Sequence, residues 1–253
     1  MTAEHTDLVA ALYEGRKNGA APVGVDRVRL ELQEALAVQL DVLARFQAAG
    51  ESLGGWKVGL TSGAARDRMG KEFRPFGYVL KSRILHAGAK VSRQPIMKCS
   101  VEPELCLIVG SRLHGDDVDA AAAKAAVRAV APAFEINERR ITAEQGNALL
   151  LADGLAQWGI VVGPEAPVRD GLVDTTVEFY AGDQLVENKT PGTTMDDPYL
   201  SLARVARLLN KFGLGLEPGQ PVITGSFYNH IVTQTGTYRA RFVGIGEVSV
   251  EFI

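Results

Sequence analysis

Two glutamates stand inside an otherwise apolar run, Val101-Glu102-Pro103-Glu104-Leu105-Cys106-Leu107-Ile108-Val109. A third, Glu135, interrupts a second run, Ala131-Pro132-Ala133-Phe134-Glu135-Ile136. On an extended segment, residues i and i+2 point to the same face, so Glu102 and Glu104 must share an environment. Burying like charges side by side is unfavourable unless a cation compensates them or a proton is taken up. Carboxylate oxygens alone suit a hard divalent ion, Mg²⁺ or Mn²⁺, better than zinc. The alternative is a strand whose first residues are still solvated and paired with Arg or Lys. An E-x-E tripeptide is common, and both readings stand at this level.

Composition narrows the class. The 253 residues are 46% hydrophobic and 23% charged, as in an ordinary globular chain of one large domain or a small one plus a larger. A formal net charge of -3, with basic residues scattered along the chain, argues against an electrostatic nucleic-acid or membrane binder. The two cysteines, Cys99 and Cys106, would lie roughly 23 Å apart on an extended segment, too far for a bridge. A reduced, cytoplasmic setting is expected, since the opening residues Met1 to Asp7 lack a signal-peptide pattern and no apolar stretch reaches membrane-spanning length.

Hydrophobic periodicity divides the chain at about residue 52. Leu8, Val9, Leu12 and Tyr13 form the stripe of a helix over 7–17, and Asp26 is placed to cap a second helix reaching Ala49. Beyond Gly54 the texture becomes short strands separated by glycine and proline: 56–60, 104–109, 134–136, 158–162, 175–180, 221–224, 238–243 and 247–252. Helices are expected over 117–130 and 199–212, the latter preceded by Asp196 and Asp197 as capping acids. This pattern predicts an α+β fold, with a helical N-terminal cap over 1–52 and a β-rich domain over 53–253.

Several polar residues sit where packing alone does not call for them. Lys57, inside an apolar strand, either snorkels to the strand edge or is a partly desolvated amine of lowered pKa. Phe76-Gly77 reads as a turn into a strand with an aromatic lip. Arg140 follows Glu135 by five residues and could pair with it or bind a substrate carboxylate, while Asp153 could cap or turn the chain. Thr224-Gly225-Ser226 offers two hydroxyls and a flexible backbone as an anion cradle, with His230 just beyond it. No phosphate-binding loop, dinucleotide fingerprint or nucleophile elbow is present.

Taken in order, Gly55-Trp56-Lys57-Val58-Gly59-Leu60-Thr61-Ser62, Phe76-Gly77, Glu102-Pro103-Glu104, Phe134-Glu135-Ile136 with Arg140, Ala152-Asp153, Ile223-Thr224-Gly225 and the ending Gly244 to Val250 resemble the 2-keto-4-pentenoate hydratase and 4-oxalocrotonate decarboxylase family, within the fumarylacetoacetate hydrolase superfamily. The resemblance spans nearly the whole chain. It implies a mixed, highly curved β-sheet domain of fumarylacetoacetate hydrolase C-terminal type behind a helical N-terminal region, assembled as a homo-oligomer. It also implies Mg²⁺ or Mn²⁺ on Glu102, Glu104 and Glu135, and a catalytic Lys57 and Asp153. Substrate-binding positions would fall at Thr61, Ser62, Phe76, Gly77, Lys81, Arg140, Thr224, Gly225 and Ser226. The substrate would be a small 2-oxo or 2-hydroxy acid, with no nucleic-acid or membrane partner.

The chain departs from the family at steering positions. The aspartate that hydratases carry five residues past Phe-Gly is Ser82 here, and the one that decarboxylases carry four residues past is Lys81. The family's Ala-Asp-Asn becomes Ala152-Asp153-Gly154, and its Leu-Gly-His-Pro becomes Met195-Asp196-Asp197-Pro198. The expected activity is hydration of a 2-hydroxy-2,4-dienoate to a 4-hydroxy-2-oxo acid in aromatic-compound breakdown. Decarboxylation of a 2-oxo-enedioate is the runner-up, with Lys81 holding the distal carboxylate. C–C hydrolysis of an acylpyruvate-like substrate through His230, or a non-catalytic oligomeric partner, completes the set.

Overall fold

The computed structural model of the chain describes residues 3–26 and 28–253; Met1, Thr2 and Arg27, within the expected cap, lie outside the described residues. The chain opens with α1 (Ala3–Asn18) and α2 (Leu32–Ala48). The second helix begins later than expected. Glu34 at its third position accepts the Glu31 backbone N–H at 2.9 Å, whereas Asp26 accepts a hydrogen bond from Gln145 in a distant loop.

A first sheet is built from β1 (Leu53–Val58), β2 (Phe76–Leu80), β3 (Ile84–His86), β5 (Ser100–Val109), β6 (Val127–Asn137), β7 (Gln157–Val162), β10 (Pro221–Ser226) and the short β11 (His230–Ile231). A second contains β4 (Ala89–Val91), β8 (Val177–Ala181), β9 (Gln184–Lys189), β12 (Gly236–Phe242) and β13 (Gly246–Phe252). Strand order is β2-β1-β10-β5-β6-β7-β3 in the first, with β11 beside β5, and β4-β13-β12-β8-β9 in the second. Both are mixed: β1 with β10, β3 with β7 and β4 with β13 run parallel, against antiparallel neighbours elsewhere. Helices α3 (Ala120–Ala126), α4 (Asn147–Ala152) and α5 (Pro198–Asn210) complete an α+β fold.

The longest departure from the sequence expectation is at 117–130. Only Ala120–Ala126 is helical, with Asp119 accepting the Ala122 N–H as N-cap. The chain then passes straight into the eleven-residue β6, where Val127 and Val130 join the buried sheet. Tertiary pairing with β5 thus overrides the helical continuation. Prolines at 103 and 132 do not interrupt these central strands. Pro132 presents its C=O to the Gly163 N–H, so its missing N–H faces the β7 side, between the Ala133–Val162 pair and the Val130–Ala166 bridge. Pro103 presents its C=O to Phe227, on the side where the β10 register slips between Ile223 and Ser226.

Register then fixes the chemistry. Glu102 lies directly opposite Glu135 across the β5–β6 ladder, Glu104 opposite Ser226 across β5–β10, and Lys57 beside Ile223 on β1–β10. Four adjacent strands present these side chains to one region. Trp56, Phe76 and Phe212 stack edge-on beneath it, with ring centroids 5.4 and 5.8 Å apart, and α5 covers β1, β2 and β10 with Leu202, Val205, Ala206 and Leu209. Its N-cap is Asp197, which accepts the Tyr199 and Leu200 N–H groups. Asp196, expected as a second capping acid, is instead buried among Arg66, Arg74 and Arg204.

Candidate metal centre

The three glutamates and Lys57 meet in a cavity of about 260 Å³, also lined by Leu60, Thr61, Ser62, Ala64, Ala65, Gly225 and Ser226. One oxygen from each carboxylate falls within 4.8 Å of the others. Glu104 and Glu135 are buried and Glu102 is half-buried. Lys57 Nζ lies 2.5 Å from Glu135 Oε1 and donates to the Leu155 carbonyl at 3.2 Å. The lysine therefore does not snorkel outward; its side chain is 8% exposed and directed into the carboxylate cluster.

Burial and the surrounding negative charge set the protonation. Burial, reinforced by Glu135 and Glu102, raises the Glu104 carboxyl well above the usual range. Burial also raises Glu135, to about 7, against the opposing pull of Lys57. Burial alone would lower the Lys57 ammonium, but Glu135, Glu102 and Glu104 overcome it and raise its pKa. The lowered lysine pKa, one of the two readings of the sequence, is thus reversed, because the strand delivers the amine into three carboxylates rather than into apolar side chains. Like-charged residues directly opposite on a ladder destabilise a sheet. One ammonium against three carboxylates leaves the cluster short of positive charge, and an all-oxygen donor set of this size fits a hard divalent ion.

Two glycines make the arrangement possible. Gly225 has φ +143, its N–H donates to Glu104 Oε2 at 2.7 Å, and a Cβ there would lie 2.1 Å from Thr61 Oγ1. The cradle expected at Thr224-Gly225-Ser226 thus holds the protein's own carboxylate. Thr224 Oγ1 donates to the Leu105 carbonyl and does not line the cavity. Gly77 faces Lys57 across β1–β2, where a Cβ would sit 2.7 Å from Lys57 Cγ; the absence of a side chain gives the lysine its path.

Other expected site residues fall outside the cavity. Phe76 is fully buried in the core beneath it rather than forming a lip. Lys81 follows β2 at its far end, about 13 Å along the strand from Gly77. Arg140 pairs with Glu138 and Asp153 rather than with Glu135, because β6 ends at Asn137 and the chain turns away. Asp153 lies with it in a buried network behind Lys57. His230 pairs with Val101 through its backbone, and its ring packs 5.2 Å from Phe179 and 5.3 Å from Tyr238.

Sequence reasoning missed Asn229. Its Nδ2 donates to Glu102 Oε1 and, at 3.3 Å, to Ser100 Oγ, holding the outermost carboxylate. The only sequence signal is its place just beyond the Thr224-Gly225-Ser226 turn.

No family model matches the chain. It is 28% identical over 253 residues to 2-keto-4-pentenoate hydratase 1 of Dechloromonas aromatica, covering 97% of this chain and 94% of that protein. It is 27% identical over 220 residues to a 4-oxalocrotonate decarboxylase of a Pseudomonas species, covering 86% of each. Its fold superposes on 4-oxalocrotonate decarboxylase from Pseudomonas putida G7, solved with magnesium and adipate, with a TM-score of 0.90 at 24% identity, covering 100% of this chain and 99% of that one. The fold is that of the fumarylacetoacetate hydrolase superfamily. The chain is similar over most of its length to proteins named 2-keto-4-pentenoate hydratase and 4-oxalocrotonate decarboxylase, the resemblance that its motifs carry. These named relatives are lyases.

Proposed function

We propose that this protein is a divalent-metal-dependent hydro-lyase that converts a 2-hydroxy-2,4-dienoate into a 4-hydroxy-2-oxo acid. The observation that carries the reading is the buried cluster of Glu102, Glu104 and Glu135 around Lys57 at the floor of a small cavity. In this reading Glu102, Glu104 and Glu135 hold Mg²⁺ or Mn²⁺, the ions expected for an all-carboxylate set. A divalent ion bound there supplies positive charge for the substrate carboxylate and for the negative charge that develops at oxygen 2.

The chain's own residues do the rest. Lys57 Nζ moves the proton: the 2-hydroxyl proton leaves oxygen and a proton reaches carbon 5, giving a 2-oxo-3-ene. Water then adds, with hydroxyl at carbon 4 and hydrogen at carbon 3. Thr61, Ser62 and Ser226 line the cavity with hydroxyls and Gly225 fixes Glu104, whereas Asp153 and Arg140 act from behind Lys57. Phe76, Gly77 and Thr224 support the floor.

The cavity favours hydration over decarboxylation of an enedioate. Leu60, Ala64 and Ala65 give it an apolar part, and Lys57 is the one cation lining it among the described residues. Lys81 is remote, and the neighbouring Arg66 is engaged by Asp196 and the Thr193 carbonyl. A distal carboxylate would find no counter-charge, while an uncharged tail fits. Decarboxylation remains the second reading because the whole-chain similarity extends to a decarboxylase.

No described helix is long and apolar enough to cross a membrane. With two buried free thiols, the reading puts the enzyme in the reduced cytoplasm as a homo-oligomer, residues 1–52 forming the cap and 53–253 the catalytic domain. The test is the ultraviolet decay of 2-hydroxypenta-2,4-dienoate with Mg²⁺ and with EDTA, with product analysis. Mg²⁺-dependent formation of 4-hydroxy-2-oxopentanoate is expected, and Lys57→Met should lower kcat by about 10²- to 10⁴-fold. No loss of the dienoate, with carbon dioxide released from a 2-oxo-enedioate, would transfer the assignment to the second reading.

A further inference from the structure

The turn behind Lys57 carries an unusual backbone. Gly154, Leu155 and Ala156 follow one another with φ of +79, +58 and +60. The end of α4 accounts for one left-handed residue, Gly154, whose N–H reaches back to the Leu151 carbonyl. It does not require two more, and a non-glycine residue held there is strained. What the turn accomplishes is to aim the Leu155 carbonyl at Lys57 Nζ, 3.2 Å away. The ammonium has three N–H bonds. The Leu155 carbonyl takes one and Glu135 pairs with the ammonium as a counter-charge, so the remaining donor capacity faces the cavity.

The turn is clamped from the N-terminal helix. Arg16, in the last turn of α1 and only 8% exposed, donates from Nη1 to the Asp153 carbonyl at 3.3 Å and from Nη2 to Gln157 Oε1 at 2.7 Å. Its guanidinium lies 4.5 Å over the Tyr78 ring and against Gly154, where a Cβ would come within 2.7 Å of Nη1. The two bonds bracket residues 154–156. On the other side Arg140 pairs with the Asp153 carboxylate at 3.0 Å, and the Ala156 carbonyl accepts the Glu138 N–H at 2.7 Å.

We propose that Arg16 is a positioning residue: by gripping both ends of the left-handed turn 154–156, it holds the Leu155 carbonyl against Lys57 and so orients the ammonium toward substrate. This inference rests on the reading of Lys57 as the proton-moving group. It gives the N-terminal helix a part in turnover, through a residue that touches neither substrate nor metal ligand.

The decisive variant is Ala156→Gly, which suits its positive φ, removes a single methyl and leaves every named side chain in place. In the Mg²⁺-loaded full-length enzyme, Ala156→Gly should keep or raise Tm yet lower kcat several-fold, with KM and the Mg²⁺ Kd within about twofold. Arg16→Met should lower kcat by about 10- to 100-fold with the same unchanged KM and Kd. Independently of turnover, hydrogens on the Lys57 ammonium, followed by its ¹⁵N resonance, should exchange at least about tenfold faster in Ala156→Gly than in wild type. Wild-type kcat and wild-type ammonium exchange in Ala156→Gly would overturn the proposal, even if Arg16→Met fails to fold. An undiminished kcat in Lys57→Met would instead remove the reading of Lys57, leaving the exchange measurement to judge the clamp.

Discussion

Glu102 is the outermost of the three carboxylates, and the group that steadies it, Asn229, is itself exposed. A hydrogen bond of this kind fixes a ligand's rotamer before an ion arrives. Asn229→Ala should therefore weaken Mg²⁺ binding about tenfold, the low end for such a partner, while kcat at saturating Mg²⁺ stays near wild type. A kcat loss that persists at saturating Mg²⁺ would place Asn229 on the substrate instead. At this scale the glutamates were legible because charge in an apolar run has no packing explanation. Phe76, Lys81 and Arg140 were not. Residue type shows what a side chain can do, but not which face or strand end it occupies. Phe76 points into the core, Lys81 follows the far end of the strand that carries Gly77, and Arg140 lies beyond the turn that separates it from Glu135.

Among the elements, α5 and the strands β8, β12 and β13 follow periodicity because one face of each is buried and the other is not, whereas β2, β5, β6 and β10 are buried on both faces and read as continuous apolar runs. Misreadings concentrate where local and tertiary preferences disagree. The alanines before Val127 favour a helix, yet β6 is recruited by a full-length antiparallel partner, β5. Pro103 and Pro132 precede the expected strands 104–109 and 134–136, yet both lie inside the longer strands β5 and β6 that pairing with each other extends. The short β3 and β4, and the largely exposed edge strand β9, carry too little alternating pattern to stand out. The turn 154–156 is the most consequential unread element, since nothing in Leu155-Ala156 announces a left-handed backbone.

Across the whole molecule, the order of strands brings residues from positions 57, 102–104, 135 and 225 to one place, and this non-local order is what periodicity cannot supply. The family resemblance supplied it. Because burial raises Glu104 and Glu135 above their unfolded values, the metal-free protein binds more protons folded than unfolded between about pH 4.5 and 7. Its stability from these groups is present at lower pH and is lost as pH rises through that window. In EDTA, Tm should fall from pH 5 to 7.5, and the Mg²⁺-induced rise in Tm should grow over the same interval. A Tm increment from Mg²⁺ that shrinks with rising pH would contradict this electrostatic account.

In the proposed mechanism, Glu102, Glu104 and Glu135 together hold one divalent ion. Calorimetric titration of the EDTA-stripped protein with Mn²⁺ and Mg²⁺, beside the Glu102→Gln variant of matched Tm, tests it most directly. The account predicts one ion per chain in the wild type and binding weakened at least about 100-fold in Glu102→Gln. Equal affinity in the two proteins would contradict it.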